Sequence, residues 1–277
     1  MEPVMGRLGP DLTTPEGRLE VAHAAAEFAR EAGALQLARL GQLRAGEVRS
    51  KSARRDLVTE VDLECERLLV ERLREHFPGH AIEAEEEVRD ARDEERPRWF
   101  VDPLDGTVNF IHELPAFAVS MGLFVGRRPL AAVVHAPRLA ETFVAAEGAG
   151  ATLNGQRIRV SDTTELADAI VATGFPYRRN ELPNNNLSNF DRLFLEVRGL
   201  RRMGSAAIDL AYTAAGRIDA YWELHLGPHD MAAGALLVRE AGGLVTDVDG
   251  GDDWLRSGAV VAGPESLHRA LVALVEG

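Results

Sequence analysis

Cysteine, lysine and aromatic residues are scarce in this chain of 277 residues, and the shortages exclude several classes of protein. Cys65 is the single cysteine, so the chain can form no internal disulfide and no cysteine cluster for zinc. No apolar run approaches the roughly 18 residues that a membrane-spanning helix needs. Residues 1–15 show no basic stretch followed by an apolar core, so we expect no signal peptide and a cytoplasmic location.

Positively charged residues are outnumbered, since the chain has 31 Lys and Arg residues and 44 Asp and Glu residues, which gives a net charge of -13. We therefore expect neither nucleic acid nor a membrane as a main partner, since both reward a basic surface. A small phosphate ester stays compatible with this charge if metal cations lie between it and the protein. Lys51 is the only lysine. Either its position requires a compact ammonium group, or the presence of a lysine there is due to chance.

Hydrophobic periodicity divides the chain into helices and strands. Apolar residues at helical spacing predict helices over 16–43, 61–77, 187–197, 204–215, 230–241 and 264–275. Short apolar or alternating runs predict strands over 81–84, 117–125, 130–135, 142–146, 151–160, 169–173, 218–222, 244–247 and 259–262. This mixture predicts an α/β fold with α+β character, built in layers.

The order of these elements predicts three parts. A loose arm covers residues 1–15, an α+β half with an antiparallel sheet covers 16–160, and an α/β half covers 161–277. No flexible linker separates the two halves. Ligands often bind between such halves, so we expect the second half to complete a pocket that the first half begins.

The stretch WFVDPLDGTVNF is the most informative segment. A predicted strand delivers Asp102 to its end, and Asp105 follows in the turn, so two carboxylates can converge on hard cations. The Leu104 carbonyl between them is a further oxygen ligand. Gly106 allows close approach of the backbone, and Gly106 and Thr107 open a short helix whose N–H groups suit a phosphate. The alternative is an aspartate-rich turn that only caps a helix.

Three other acidic segments carry weaker signals. Glu85 opens a run of three glutamates, which is either a solvated face or the donor of one metal carboxylate. The segment 56–62 leads into the second predicted helix, and Thr59 and Asp62 could simply form its N-terminal cap. Asp230 begins another helix, either as a plain cap or as a third aspartate ligand.

These segments together resemble the inositol monophosphatase family, within the lithium-sensitive, Mg²⁺-dependent phosphatase superfamily that includes fructose-1,6-bisphosphatases. The resemblance spans residues 16–277 and rests on ordered motifs at 56–62, 84–86, 99–110, 202–207 and 229–243. It implies a layered α-β-α-β-α sandwich. It also implies two or three Mg²⁺ ions, Mn²⁺ as a substitute, Li⁺ as an inhibitor, and a homodimer.

The resemblance also assigns roles to residues. The implied metal ligands, most of them in the first half, are Glu85, Asp102, the Leu104 carbonyl, Asp105 and Asp230. The implied catalytic residues, which hold and activate the attacking water, are Asp62, Thr107 and Glu85. The implied substrate-binding residues are Lys51, Asp105, Gly106, Thr107, Gly204, Ser205, Ala206, Glu223 and Asp230.

Two departures from the family pattern stand beside these matches. His229 occupies the position where the family usually has Trp, and Glu87 the position where it often has Ser. His229 is either a metal ligand or a stacking or surface residue; imidazole matches Mg²⁺ less well than oxygen does.

The implied reaction is Mg²⁺-dependent hydrolysis of the phosphate monoester of a small polyol, and inositol 1-phosphate is the leading candidate substrate. The same chemistry on fructose-1,6-bisphosphate, histidinol phosphate or a nucleotide 3′-phosphate is the alternative. An alternative of another class is a non-catalytic regulatory binding protein on the same fold.

Overall fold

The computed structural model describes residues 10–44 and 46–277. The helices of these residues are α1 (Pro15–Arg39), α2 (Glu60–His76), α3 (Thr107–Ile111), α4 (Leu187–Phe194), α5 (Ala206–Ala214), α6 (Pro228–Glu240), α7 (Trp254–Ser257) and α8 (Glu265–Val272). None of the helices in the described ranges is both long and apolar enough to cross a bilayer.

The strands follow the predicted alternation. They are β1 (Val48–Ser50), β2 (Leu57–Thr59), β3 (Ala81–Ala84), β4 (Arg98–Asp105), β5 (Ala118–Val125), β6 (Arg128–Ala136), β7 (Glu141–Ala146), β8 (Gly150–Leu153), β9 (Gln156–Arg157), β10 (Ile170–Thr173), β11 (Gly199–Arg201), β12 (Ala220–Glu223), β13 (Leu244–Thr246) and β14 (Val260–Gly263).

Two large sheets organise the molecule. The first has seven strands in the order β3-β4-β5-β6-β7-β8-β9, parallel between β3 and β4 and antiparallel elsewhere. The second has five strands in the order β11-β10-β12-β14-β13; β10 runs parallel to β11 and β12, and the remaining pairs are antiparallel. Strands β1 and β2 form a separate antiparallel pair.

Helices cover both sheets and fill the space between them. Helices α1 and α2 pack on the outer face of the seven-stranded sheet. Helices α5 and α6 lie between the two sheets, and α4 and α8 cover the outer face of the five-stranded sheet. Three separate apolar cores result, one for each helical layer, and the core of the central layer contacts both sheets. This is the α-β-α-β-α sandwich that the family resemblance implies.

The limits of several elements differ from the prediction for local reasons. Helix α1 ends at Arg39, short of residue 43, because Leu40 leaves helical geometry and Gly41 takes a φ of 71°. Helix α5 begins at Ala206, after the predicted residue 204, because the Ser205 side chain caps it. Strands β1, β2 and β11 were not predicted, since three residues are too few to show a period.

The predicted N-terminal arm covers residues 1–15, of which 1–9 lie outside the described residues, and α1 already begins at Pro15. The predicted hairpin turn is present between β8 and β9, where Asn154 and Gly155 both have positive φ. The division of the chain at residue 160 stays a prediction.

Candidate active site

The end of strand β4 brings three oxygen donors to one place. Asp102, Leu104 and Asp105 are all buried there. Pro103 has no N–H for the ladder, and the pairing of β4 with β5 shifts register between Asp102 and Asp105. Asp105 was expected in a turn after the strand, but it is the last residue of β4, because its pairing with Ala118 continues the strand beyond the irregularity. Behind this irregular stretch, the Gln36 side chain of α1 donates a hydrogen bond of 2.7 Å to the Pro103 carbonyl. The irregular end of β4 is therefore held from the helical layer as well as from the sheet.

Gly106 connects β4 to α3 in a conformation that favours glycine. Its φ is 91°, and an added Cβ would lie 2.8 Å from the Ala116 carbonyl oxygen. Thr107 then begins α3, so the predicted short helix after the aspartates is present.

Asp230, from the first turn of α6, joins the two aspartates of β4. Asp102, Asp105 and Asp230 each offer a carboxylate oxygen, and these atoms all lie within 4.8 Å of one another. Burial raises the pKa of the Asp105 carboxyl to about 7, and repulsion by Asp230 adds to the effect. Burial and acidic neighbours likewise raise the pKa values of Asp102 and Asp230. Three repelling oxygen donors at this spacing fit a hard cation such as Mg²⁺.

Asp105 is oriented by the start of α5. The Ser205 hydroxyl donates a hydrogen bond of 2.5 Å to Asp105 Oδ2, and the Ala207 N–H donates one of 2.8 Å to the same atom. Ser205 also accepts from the Ile208 N–H at 3.2 Å. One hydroxyl thus caps α5 and leaves Asp105 Oδ1 available.

The single lysine contacts the glutamate run. Lys51 Nζ lies 2.8 Å from Glu85 Oε1 and also donates to Glu86 Oε1. Burial acts to raise the pKa of the Glu85 carboxyl, but His229 and Lys51 outweigh it, so that pKa lies below its usual range. Burial acts to lower the pKa of the Lys51 ammonium, but the attraction of Glu85 and Glu86 outweighs this effect, so that pKa lies above its usual value. A compact ammonium group serves both carboxylates here.

Glu66 of α2 positions this run, and sequence reasoning missed it. Its carboxylate is 2% exposed and accepts three backbone N–H groups, those of Glu86, Glu87 and Val88, at 2.8, 2.8 and 2.9 Å. Glu85 directly precedes the segment held in this way. A lone helical glutamate carries no sequence signal that distinguishes this buried role from a solvated one.

Asp62 and Thr107 form a buried pair. Thr107 Oγ1 lies 3.0 Å from Asp62 Oδ1 and 3.1 Å from the Leu104 carbonyl oxygen. Asp62 Oδ2 accepts the Thr59 N–H at 2.8 Å and the Thr59 hydroxyl at 2.5 Å, so the predicted cap of α2 is also present. Burial raises the pKa of Asp62 to about 6.

Two adjoining cavities collect the predicted residues. The first, of about 280 Å³, is called the metal cavity; it is lined by Lys51, Glu85, Asp102, Leu104, Asp105, Gly106, Thr107 and Asp230 among others. The second, of about 90 Å³, is called the narrow cavity; it is lined by Asp105, Gly204, Ser205, Ala206, Glu223 and Asp230 among others. Asp62 lines neither and is buried behind Thr107.

The floor of the narrow cavity holds a second pair of carboxyl groups. Glu223 accepts a hydrogen bond of 2.6 Å from the Tyr221 hydroxyl, and burial raises the pKa of Glu223 to about 7. Gly174 makes room for it, because a Cβ there would lie 2.1 Å from both Glu223 oxygens. Asp209 is 1% exposed beside them, and its Oδ1 has no hydrogen-bond partner among the described residues. Gly174 and Asp209 were not predicted from the sequence.

His229 lies beside the acidic cluster. Its Nε2 is 3.8 Å from Asp230 Oδ1, and its carbonyl accepts a hydrogen bond of 3.2 Å from the Ser120 hydroxyl. The cluster found among the described residues consists of the three aspartates, with His229 at its rim.

Comparison with known proteins agrees with this geometry. The model of the inositol monophosphatase family matches residues 18–277. The chain is 45% identical over 252 residues to a protein of Pseudomonas aeruginosa named Nus factor SuhB, covering 90% of this chain and 93% of that protein. It is 42% identical over 221 residues to an inositol-1-monophosphatase of Mesorhizobium japonicum, covering 80% and 83%. An inositol monophosphatase structure from Anabaena superposes with a TM-score of 0.84 at 39% identity, covering 92% of this chain and 94% of that one.

Proposed function

We propose that this chain, which belongs to the inositol monophosphatase family, is an Mg²⁺-dependent phosphatase. Its substrate would be the phosphate monoester of a small polyol, with inositol 1-phosphate as the leading candidate. The observation that carries the proposal is the convergence of Asp102, Asp105 and Asp230 within 4.8 Å, in a cavity next to Thr107. Buried carboxylates at this spacing repel one another, and such an arrangement is stable only when a cation or protons offset the charge.

The donor set fits magnesium. The ligands would be Glu85, Asp102, the Leu104 carbonyl, Asp105 and Asp230, which are all oxygen donors. When bound, Mg²⁺ supplies positive charge that offsets the phosphate charge and makes water a stronger nucleophile. We expect two or three ions, replacement by Mn²⁺, and inhibition by Li⁺.

Asp62 and Thr107 would handle the proton of the attacking water. Asp62 Oδ2 is occupied by Thr59, so Oδ1 is the atom that receives the Thr107 hydroxyl proton. With its own hydrogen directed to Asp62, Thr107 Oγ1 accepts a hydrogen bond from a water in the metal cavity. This pair orients the water and moves its proton to Asp62 Oδ1 as the phosphate is attacked. Glu85 lies in the same cavity and would help to orient the water.

The remaining residues would bind the substrate. The N–H groups of Gly106 and Thr107 and the Lys51 ammonium would hold the phosphate. Ring hydroxyls would donate to Glu223 in the narrow cavity. The turn of Gly204, Ser205 and Ala206 would form the wall beside the ring.

A measurement of inorganic phosphate release tests the proposal. We expect release from inositol 1-phosphate that requires Mg²⁺, and a kcat/KM for polyol phosphates above that for p-nitrophenyl phosphate. A protein that turns over no sugar or polyol phosphate faster than p-nitrophenyl phosphate would contradict the polyol substrate. Sedimentation analysis tests the expected homodimer.

A regulatory binding protein is the second candidate, and the name Nus factor SuhB of the P. aeruginosa relative favours it. The two roles are compatible on one chain. The retained carboxylates favour catalysis, because a pure binding protein has no need for a repelling buried cluster. A purified protein that releases no phosphate in Mg²⁺ would favour the regulatory role alone.

A further inference from the structure

A third cavity, of about 740 Å³, opens beside the two catalytic ones, and we call it the outer cavity. Tyr177, Arg202 and Gly204 line both the outer cavity and the narrow cavity. The two spaces therefore share a wall. A ligand whose phosphate lies at the aspartate cluster can extend past these residues into the outer cavity.

The outer cavity is basic, although the chain as a whole has a net charge of -13. Arg55, Arg179 and Arg202 line it, and none of its lining residues is an aspartate or glutamate. The metal cavity next to it is acidic, because five carboxylates line it against Lys51 and Arg89. The two neighbouring spaces thus carry opposite charge, which is the arrangement expected when a metal occupies one and an anion the other.

Within the described ranges Arg55 and Arg179 have no acidic partner, whereas Arg202 also acts electrostatically on the carboxyl groups of Asp209 and Glu223 in the narrow cavity. Arg55 donates to the neutral Asn180 side chain at 2.9 Å, and no salt bridge is found for Arg179 or Arg202. Their neighbour Arg178 contrasts with them, because it pairs with Glu181 at 2.7 Å. Arg55 and Arg179 therefore have no counter-ion of their own, and a bound anion would supply one.

From this juxtaposition we infer that the outer cavity binds a second phosphate group of the substrate. The inference rests on the proposed phosphatase activity and extends its substrate class to phosphate monoesters that carry a second phosphate. A guanidinium fork matches phosphate oxygens and donates two parallel hydrogen bonds. Phe175, Tyr177 and Leu187 provide apolar walls for the carbon skeleton between the phosphates. Inositol 1-phosphate alone leaves Arg55 and Arg179 without a counter-ion.

Two matched substrate pairs test the inference. Phosphate release is measured with fructose 1-phosphate against fructose 1,6-bisphosphate, and with adenosine 3′-phosphate against adenosine 3′,5′-bisphosphate. We expect wild-type kcat/KM to favour at least one bisphosphate by about 10-fold or more, the value of a charge-assisted contact. In the double variant Arg55→Gln/Arg179→Gln this preference falls towards unity. These two residues line the outer cavity but not the narrow or metal cavity.

Arg178→Gln is the matched control, because Arg178 lies on the same loop but already pairs with Glu181; it should keep the preference. Equal kcat/KM within each pair, or a preference that survives in the double variant, would overturn the inference while leaving the phosphatase intact. If no ester is hydrolysed, the proposed function is wrong. In that case, calorimetry of fructose 1,6-bisphosphate binding tests whether the outer cavity binds a phosphate group. Binding about 10-fold weaker in the double variant than in the wild type would support the inference, and equal binding would overturn it.

Discussion

The Thr107 hydroxyl oxygen lies 3.0 Å from Oδ1 of Asp62, a residue 45 positions earlier in the chain. Asp62 belongs to the first turn of α2, and Thr107 begins α3 directly after the aspartates of β4. The contact joins the outer helical layer to the metal cavity. It also leaves the second Asp62 oxygen fully occupied by Thr59, so the pair has one orientation.

A double-mutant cycle tests this pair. Thr107→Ala and Asp62→Asn should each lower kcat by about 100-fold, because each interrupts the same proton path. The double variant should lose little more than either single variant, since residues that act as one unit are not additive. Thr107→Ser keeps the hydroxyl and should recover much of the rate. Independent, multiplicative losses would contradict a shared role.

Asp105→Asn tests the metal site. The amide keeps the shape of the side chain and can still accept from Ser205, but it removes one of the converging charges. We expect kcat/KM to fall by about 1,000-fold, since metal stabilisation of phosphoryl charge is worth several kcal/mol. The Mg²⁺ concentration for half-maximal activity should rise. Asp168→Asn, at an exposed position, is the control. Full Mg²⁺-dependent activity in Asp105→Asn would refute the scheme.

Gly174→Ala tests the position of Glu223. The new Cβ would lie 2.1 Å from both carboxylate oxygens, so Glu223 must turn away from Tyr221. We expect the KM for a polyol phosphate to rise by about 10-fold through the loss of one hydrogen bond to a charged group. Turnover of p-nitrophenyl phosphate, which has no ring hydroxyls, should change less. Gly79→Ala, where an added Cβ meets nothing within 4 Å, should leave both substrates unaffected.

We expect His80, which lies away from the candidate active site, to make the stability of the protein depend on pH in the acid range. Its Nδ1 accepts a hydrogen bond of 3.1 Å from the Trp99 indole, and burial lowers the pKa of His80 from 6.5 to about 4. Between pH 6.5 and 4 the unfolded chain binds a proton that the folded chain does not, so the free energy of unfolding falls as pH falls. The loss should reach about 2 kcal/mol for this group.

Urea denaturation at several pH values between 7 and 4.5 measures this dependence. His80→Gln should show a shallower fall in the free energy of unfolding than the wild type, whatever its stability at pH 7. The exposed His23→Gln serves as control and should follow the wild-type curve. An unchanged slope in His80→Gln would show that His80 does not carry the effect.

Much of the layered fold was predictable because its long helices and strands repeat their apolar residues at regular intervals. The helical stretch at α2 and the strand at β3 are examples, and the Asn154-Gly155 hairpin turn is another. Strands β1, β2 and β11, of three residues each, escaped prediction, and the end of α1 was placed too late. A short strand is stabilised by the neighbouring strand of the sheet, and the residues of the short strand do not reveal which strand that is.

Local sequence determined part of the chemistry of the candidate site, because Asp102 and Asp105 lie three positions apart at the irregular end of β4, where their carboxylates converge. Only the tertiary structure decided what surrounds them. Glu66 beneath the glutamate run, Gly174 beside Glu223 and the arginines of the outer cavity acquire their roles from contacts between distant segments. The physical reason is that two ligands of the set, Asp102 and Asp105, lie close together in the chain, whereas the approach of Asp230, the burial, the repulsion and the cavity shape depend on every layer that packs around them.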